Sequence, residues 1–135
     1  MRDADGKLET ELKRGILQIA VLSLLSESRY GYQLGRLLAD NGLAVEEGTL
    51  YPILRRLEEQ GLLKSQWVTE QARPRKYYRT TDEGRESLEA LLAIWGRVDG
   101  ALRRVLEVAG NPGPGDGPPP PADPPPPDPE GADHG

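Results

Sequence analysis

At 135 residues the chain is sized for one domain. It has no cysteine, and its single histidine, His134, lies almost at the end, which excludes a disulfide framework or a Cys/His zinc site in the body and fits a reducing cytoplasm. The net charge of −5 belongs to the tail: all 17 Lys and Arg, and 17 of the 22 Asp and Glu, precede residue 111, so the body is neutral and local clusters set its field. The opening MRDADGKLET has no apolar h-region, so no signal peptide is expected. The longest apolar run, Ile19 to Leu25, is broken by Ser23 and is too short to span a bilayer, so no membrane partner is expected.

Leu8 to Ser26 reads as a first helix. Leu12, Ile16, Ile19, Ala20 and Ser23 share one face, while Leu17, Val21, Leu24 and Leu25 widen the apolar surface. Tyr30-Gly31-Tyr32 breaks it. Gly31 to Asp40 is a shorter helix with Leu34, Leu37 and Leu38 inward, stopped by Asn41-Gly42. In the third helix, Gly48 to Gln60, Leu50, Ile53, Leu54 and Leu57 fall within an arc of about 100°. Tyr51, Pro52, Arg55 and Glu59 point the other way, with Arg56 at the edge. Pro52 costs no helical hydrogen bond if Thr49 is the N-cap, because first-turn N–H groups have no partner inside a helix; an earlier start costs one bond.

LLKSQWVTE and RKYYRTT are rich in strand formers, and Ala72-Arg73-Pro74 between them cannot continue a ladder, so the segment reads as a β-hairpin. Arg73, Arg75, Lys76 and Arg79 lie within Gln71–Thr80 with no acid among them. Thr81-Asp82-Glu83 starts a last helix with a hydroxyl cap and acids in the first turn. Leu88, Leu91, Leu92, Trp95, Val98, Leu102, Val105 and Leu106 then recur at steps of three and four, the spacing of a packed dimer helix. Residues 111–135 hold 11 of the 13 prolines and no Val, Ile, Leu or aromatic residue, which predicts a disordered tail with polyproline character at Pro118–Pro121 and Pro124–Pro127. Such a tail is either a ligand for a proline-binding groove or an acidic solubiliser.

The predicted chain is mainly α with a small β-hairpin wing: a winged helix-turn-helix over residues 1–80, a C-terminal dimerisation helix over 81–110 and the tail over 111–135. A recognition helix packs one face on the first two helices and lays the other in the major groove of duplex DNA. Arg55 can reach a guanine edge or a phosphate; Arg56 suits phosphate. Thr49, Tyr51 and the first-turn N–H groups can hold phosphate oxygens, and Pro52 stiffens the backbone. Arg73, Arg75 and Lys76 suit a wing on the DNA backbone. The bland alternatives are a solvated helix, with Glu58 and Glu59 offsetting Arg55 and Arg56, and an ordinary basic hairpin.

The sequence resembles the PadR family of bacterial transcriptional regulators. The resemblance rests on Tyr30-Gly31-Tyr32-Gln33-Leu34, Glu47-Gly48-Thr49-Leu50-Tyr51-Pro52, Arg56-Leu57-Glu58, Gly61-Leu62, Arg75-Lys76-Tyr77-Tyr78-Arg79, Thr81 and Gly84, in that order, and covers about residues 8–108. It implies a homodimeric winged-helix repressor on a pseudo-palindromic operator, with the single C-terminal helix of the smaller subfamily as the dimer element. Trp95-Gly96-Arg97-Val98-Asp99 is further similar to a segment of multidrug-sensing members. That likeness implies Trp95 as a stacking platform for a planar aromatic effector and Asp99 as an acid facing a cationic one, with Leu12, Ile19 and Leu102 as walls. The bland alternative for Trp95 is a core residue of the dimer seam. The proline-rich tail is not part of the family pattern. No cofactor is expected. An enzyme is not either, for want of a Cys, a His in the body, or a Gly-rich phosphate loop. The other reading is a winged-helix interaction adaptor that uses its proline-rich tail.

Overall fold

A computed structural model describes residues 3–69 and 73–111. The predicted tail, apart from Asn111, and Gln71-Ala72 at the hairpin tip lie outside the described residues. The elements run α1 (Asp3–Leu24), β1 (Arg29–Tyr30), α2 (Gly31–Asp40), α3 (Glu47–Glu59), β2 (Leu63–Val68), β3 (Arg75–Thr80) and α4 (Asp82–Val108). They form two compact units, one through Ile94 and one from Trp95, and α4 contributes to both.

The first unit is a three-helix fold closed by a small sheet. Its core joins Leu17, Val21, Leu22 and Leu25 of α1, Leu34 and Leu38 of α2, and Leu50, Ile53, Leu54 and Leu57 of α3 to Leu63 and Tyr78 of the sheet. Each buried leucine contributes about 1.5–3 kcal/mol through the area it removes from water. The arc expected for α3 is the buried one. For α1 the emphasis is reversed: Leu17, Val21 and Leu25 face the core, while Leu12 is 79 % exposed and Ser23 is exposed. Both faces of α1 carry apolar side chains, so periodicity alone could not say which one the chain covers with its own atoms.

The expected hairpin is present, with Leu63 opposite Thr80 and Trp67 opposite Lys76. The sheet also has a third strand that the sequence did not announce. β1 pairs antiparallel with β3, Arg29 opposite Tyr78 and Tyr30 opposite Tyr77, giving the order β1-β3-β2. Two residues are too few to display a period of two, and Tyr30 read as part of a helix break. Arg29 also satisfies the end of α1, its Nε donating to the Leu24 carbonyl at 2.9 Å, where the helix leaves C=O groups without partners. At the far end of β3, Thr80 is buried: its N–H donates to Leu25 O and its Oγ1 to Leu22 O, both at 2.8 Å.

Helix ends follow the expected chemistry at two places. Leu43 N–H reaches back to Leu38 O at 2.8 Å across Gly42, whose φ of 89° is the left-handed conformation that favours glycine. Thr81 Oγ1 accepts from the Gly84 N–H at 3.0 Å, capping α4. Gly84 is buried there because a Cβ would run into the Leu62 carbonyl and the Thr80 methyl. Leu88 and Leu91 pack on the core of the first unit. In the second unit, Val98, Leu102 and Val105 are more than half exposed.

Candidate nucleic-acid interface

α3 begins earlier than the start at Gly48 expected of the recognition helix. Its N-cap is Glu46, whose carbonyl accepts from Thr49 and Leu50 N–H, so Thr49 is not the cap. Pro52 therefore sits inside the helix and removes the N–H that would have bonded the Gly48 carbonyl. Exposed Glu46 and Glu47 carboxylates suit the positive end of the helix dipole, which explains the early start. They also oppose a phosphate at the first turn, where Thr49 is half-buried.

Arg55 and Arg56 are exposed, and neither has a hydrogen bond or an ion pair among the described residues. The offset by Glu58 and Glu59 that the bland alternative required is not seen among the described residues. Glu58 instead accepts from Ser65 Oγ at 2.5 Å and faces Lys76 Nζ at 3.9 Å. The acid is drawn from the helix to the wing, and the two arginines keep their charge.

Tyr51 does not point freely outward. It is half-buried, packs on the core, and its hydroxyl end lies over Gly31, where any Cβ would collide with it. The Tyr-Gly-Tyr sequence at the start of α2 thus has a packing reason: only glycine leaves room for the Tyr51 ring. Pro52 is exposed beside Arg56.

The cations of the wing divide between the two faces of the sheet, because successive strand residues alternate. Lys76 lies on the face of Tyr78, with its ammonium 5.5 Å from that ring's centroid and directed at Glu58. Arg75 lies on the other face, its guanidinium 4.5 Å from the centroid of Tyr30. Tyr30 meets Tyr77 edge-on at 5.4 Å. Arg73 and Arg79 are exposed. Burial, and secondarily the nearby Glu58 and Tyr51, hold the Tyr78 phenol above its ordinary pKa, so it stays neutral beside α3.

Of the residues expected to hold an effector, Trp95 is 44 % exposed and Leu102 is 53 % exposed, both in the second unit. Asp99 is not a lone acid: its carboxylate accepts from Arg103 Nε at 3.1 Å, one helical turn on. Leu12 and Ile19 belong to the first unit, the former exposed and the latter half-buried. Of the expected dimer residues, Leu88 and Leu91 are half-buried on the chain's own core and Leu106 is half-buried, whereas Leu92, Trp95, Val98, Leu102 and Val105 are exposed. Ile94, which falls between the expected seam positions, is likewise 42 % exposed.

Three helices, a three-stranded wing and an added C-terminal helix define a winged helix-turn-helix regulator. The comparisons give the family. A profile of the transcriptional regulator PadR-like family matches residues 21–90, and the chain belongs to that family. It is similar to a PadR family transcriptional regulator from Eggerthella lenta, at 48 % identity and a TM-score of 0.72, covering 78 % of this chain and 94 % of that one. It is also 37 % identical to the transcriptional regulator Rv3488 of Mycobacterium tuberculosis over 58 % of this chain and 74 % of that protein. Bacillus subtilis PadR, solved in complex with operator DNA, shares the fold at 23 % identity and a TM-score of 0.52, covering 57 % of this chain and 46 % of that one. The chain is accordingly a transcriptional regulator and not an enzyme. No helix among the described residues is long and apolar enough to cross a membrane.

Proposed function

We propose that this PadR-family regulator acts in the cytoplasm as a homodimeric repressor, binding a pseudo-palindromic operator in double-stranded DNA. α3 enters the major groove, where Arg55 meets a base edge or phosphate and Arg56 a phosphate. Arg73 and Arg75 of the wing add backbone contacts. Two α3 helices reach successive grooves about 34 Å apart. The dimer forms through the exposed apolar positions of α4, with α1 of the partner. The observation that carries the reading is the pair Arg55 and Arg56, exposed and uncompensated because Glu58 turns to Lys76 and Ser65. The operator complex of Bacillus subtilis PadR supports it at the level of the fold.

The test is a footprint of the purified full chain on the DNA upstream of its own gene. A protected, two-fold-related site of about two helical turns is expected, and protection that does not depend on sequence would refute operator binding. A finer part of the proposal is that a planar aromatic molecule stacks on Trp95 and favours one dimer geometry over another. The half-exposed indole supports this part.

A further inference from the structure

The core-facing stripe of α1 changes character along its length. Val21 and Leu17 are buried, whereas Arg14 and Thr10 continue the same stripe, at helical steps of three and four, as polar residues. There α1 runs beside α3, and Thr10 and Arg14 line a cleft with Thr49, Pro52 and Arg56. Arg14 and Arg56 are both exposed, and neither has a hydrogen bond or an ion pair among the described residues. Lys13 differs: its Nζ donates to the Ala44 carbonyl at 3.0 Å and pairs with Glu9 at 3.0 Å. The Thr10 hydroxyl is engaged too, donating to the Gly6 carbonyl at 3.0 Å. The cleft therefore holds two guanidinium groups whose charge the described chain leaves unmatched.

This cleft lies on one flank of α3 and the wing on the other. Tyr51 packs over Gly31, and Glu58 faces Lys76, so these two mark the wing side. Pro52 and Arg56 lie about 100–140° round the helix from Tyr51, with Arg55 between. A helix with its side chains is about 10–12 Å across and the major groove is about 12 Å wide, so a helix lying in the groove meets a phosphate strand on each flank. The wing covers one of those strands. The other falls to the side of α1, where Arg14 stands beside Arg56. A guanidinium is always charged and offers a fork of N–H donors that fits phosphate oxygens. Leu12 and Ile19 lie about 140–160° round α1 from Arg14, so the same helix can serve a dimer with its other side.

We propose that the cleft between α1 and α3 is a phosphodiester-binding site, and that Arg14 makes α1 a third DNA-contacting element beside α3 and the wing. Arg14 and Arg56 each neutralise one phosphate of the strand on the flank away from the wing. The proposal rests on the reading of α3 as the helix that enters the major groove. It adds a contact from a helix that reading leaves to the core and the dimer.

The test measures binding of the full chain, and of full-length Arg14→Gln and Arg14→Lys, to a duplex of the DNA upstream of its own gene at several salt concentrations. Arg14→Gln is expected to lower the salt slope by about one, so that the ratio of affinities at about 50 and 200 mM salt narrows about threefold. Arg14→Lys keeps the charge and is expected to keep the slope. Both variants are expected to unfold in urea as the parent chain does, since nothing in the described fold bonds to Arg14. Neutral methylphosphonate linkages placed one at a time along the duplex then locate the contact. One linkage is expected to weaken the parent chain and leave Arg14→Gln unaffected. An unchanged salt slope in Arg14→Gln overturns the proposal, as does a loss confined to one base sequence, which would make Arg14 a base reader. Stabilisation of the chain by inorganic phosphate that Arg14→Gln abolishes, with the DNA slope unchanged, also overturns it and assigns the cleft to a free anion. A chain that binds no duplex ends this proposal together with the DNA reading, whereas a footprint with an unchanged slope in Arg14→Gln ends this proposal alone.

Discussion

Glu58 on α3 faces Lys76 on β3 at 3.9 Å, so an acid that local sequence would assign to Arg55 or Arg56 is occupied elsewhere. The consequence is measurable in salt. Arg55→Ala should weaken operator binding by about 1–3 kcal/mol if it reads a base, with discrimination lost at one position. Arg56→Ala should weaken all sequences alike and lower the salt slope by about one. Glu58→Gln should release Lys76 and leave the slope equal or steeper. A slope that falls in Glu58→Gln would mean the acid does not restrain a DNA-facing cation.

The two faces of the wing give a second contrast. Neutralising Arg73 and Arg75 should flatten the salt dependence of binding, by about one unit for each phosphate left without its cation. Lys76→Gln should do less, since its ammonium already has Glu58 as partner. Equal effects at Arg75 and Lys76, measured by fluorescence anisotropy at several salt concentrations, would contradict the division of cations between faces.

Glycine substitutions separate packing from mere helix propensity. Gly84→Ala places a methyl against the Leu62 carbonyl and should destabilise the chain by about 1–3 kcal/mol in urea denaturation. Gly96 meets nothing within 4 Å, so Gly96→Ala should raise stability by about 0.5–1 kcal/mol. If Gly96→Ala instead weakens self-association, a second copy approaches closely at that point.

Exposed Leu102 offers a test of the dimer. Leu102→Ala should cost about 1.4–3 kcal/mol of association for the apolar area no longer buried, at least tenfold in dimer Kd. Sedimentation equilibrium reads the change, and an unaltered mass distribution would remove this residue from the interface. For the effector, a planar cationic dye should quench Trp95 emission, with Trp95→Phe as control because Trp67 also emits. Asp99→Asn should weaken dye binding only modestly, since Arg103 already neutralises the carboxylate.

Alkaline pH probes Tyr78. Its pKa is raised in the fold chiefly by burial, so its contribution to stability is complete below the unfolded value of about 10 and is lost as pH rises through the higher folded value. Unfolding free energy should therefore fall above about pH 10. Tyr78→Phe should flatten that fall, and an unchanged pH profile in the variant would show that another group controls it.

The order of elements, the arc buried by α3 and the cap at Thr81 were legible because each is written in a local pattern. What escaped was settled at long range or by numbers too small to pattern. β1 exists because Arg29 and Tyr30 find Tyr78 and Tyr77 nearly fifty positions away. The start of α3 at Glu47 was obscured by Pro52, which invited a later cap. The core face of α1 could not be chosen while Leu12 and Leu17 were equally apolar. The separation of Arg75 from Lys76 was readable from strand alternation, but counting charges along the hairpin hid it.

Thr80 ties the last strand back to Leu22 and Leu25, across a sequence separation of 58 residues in its side-chain bond. A nascent polypeptide on the ribosome cannot make that tie until the segment beyond residue 80 has cleared the exit tunnel. Formation of the first unit should therefore wait for synthesis of the start of α4, and shorter fragments should leave the three leucine-rich helices as a sticky, protease-sensitive collapse.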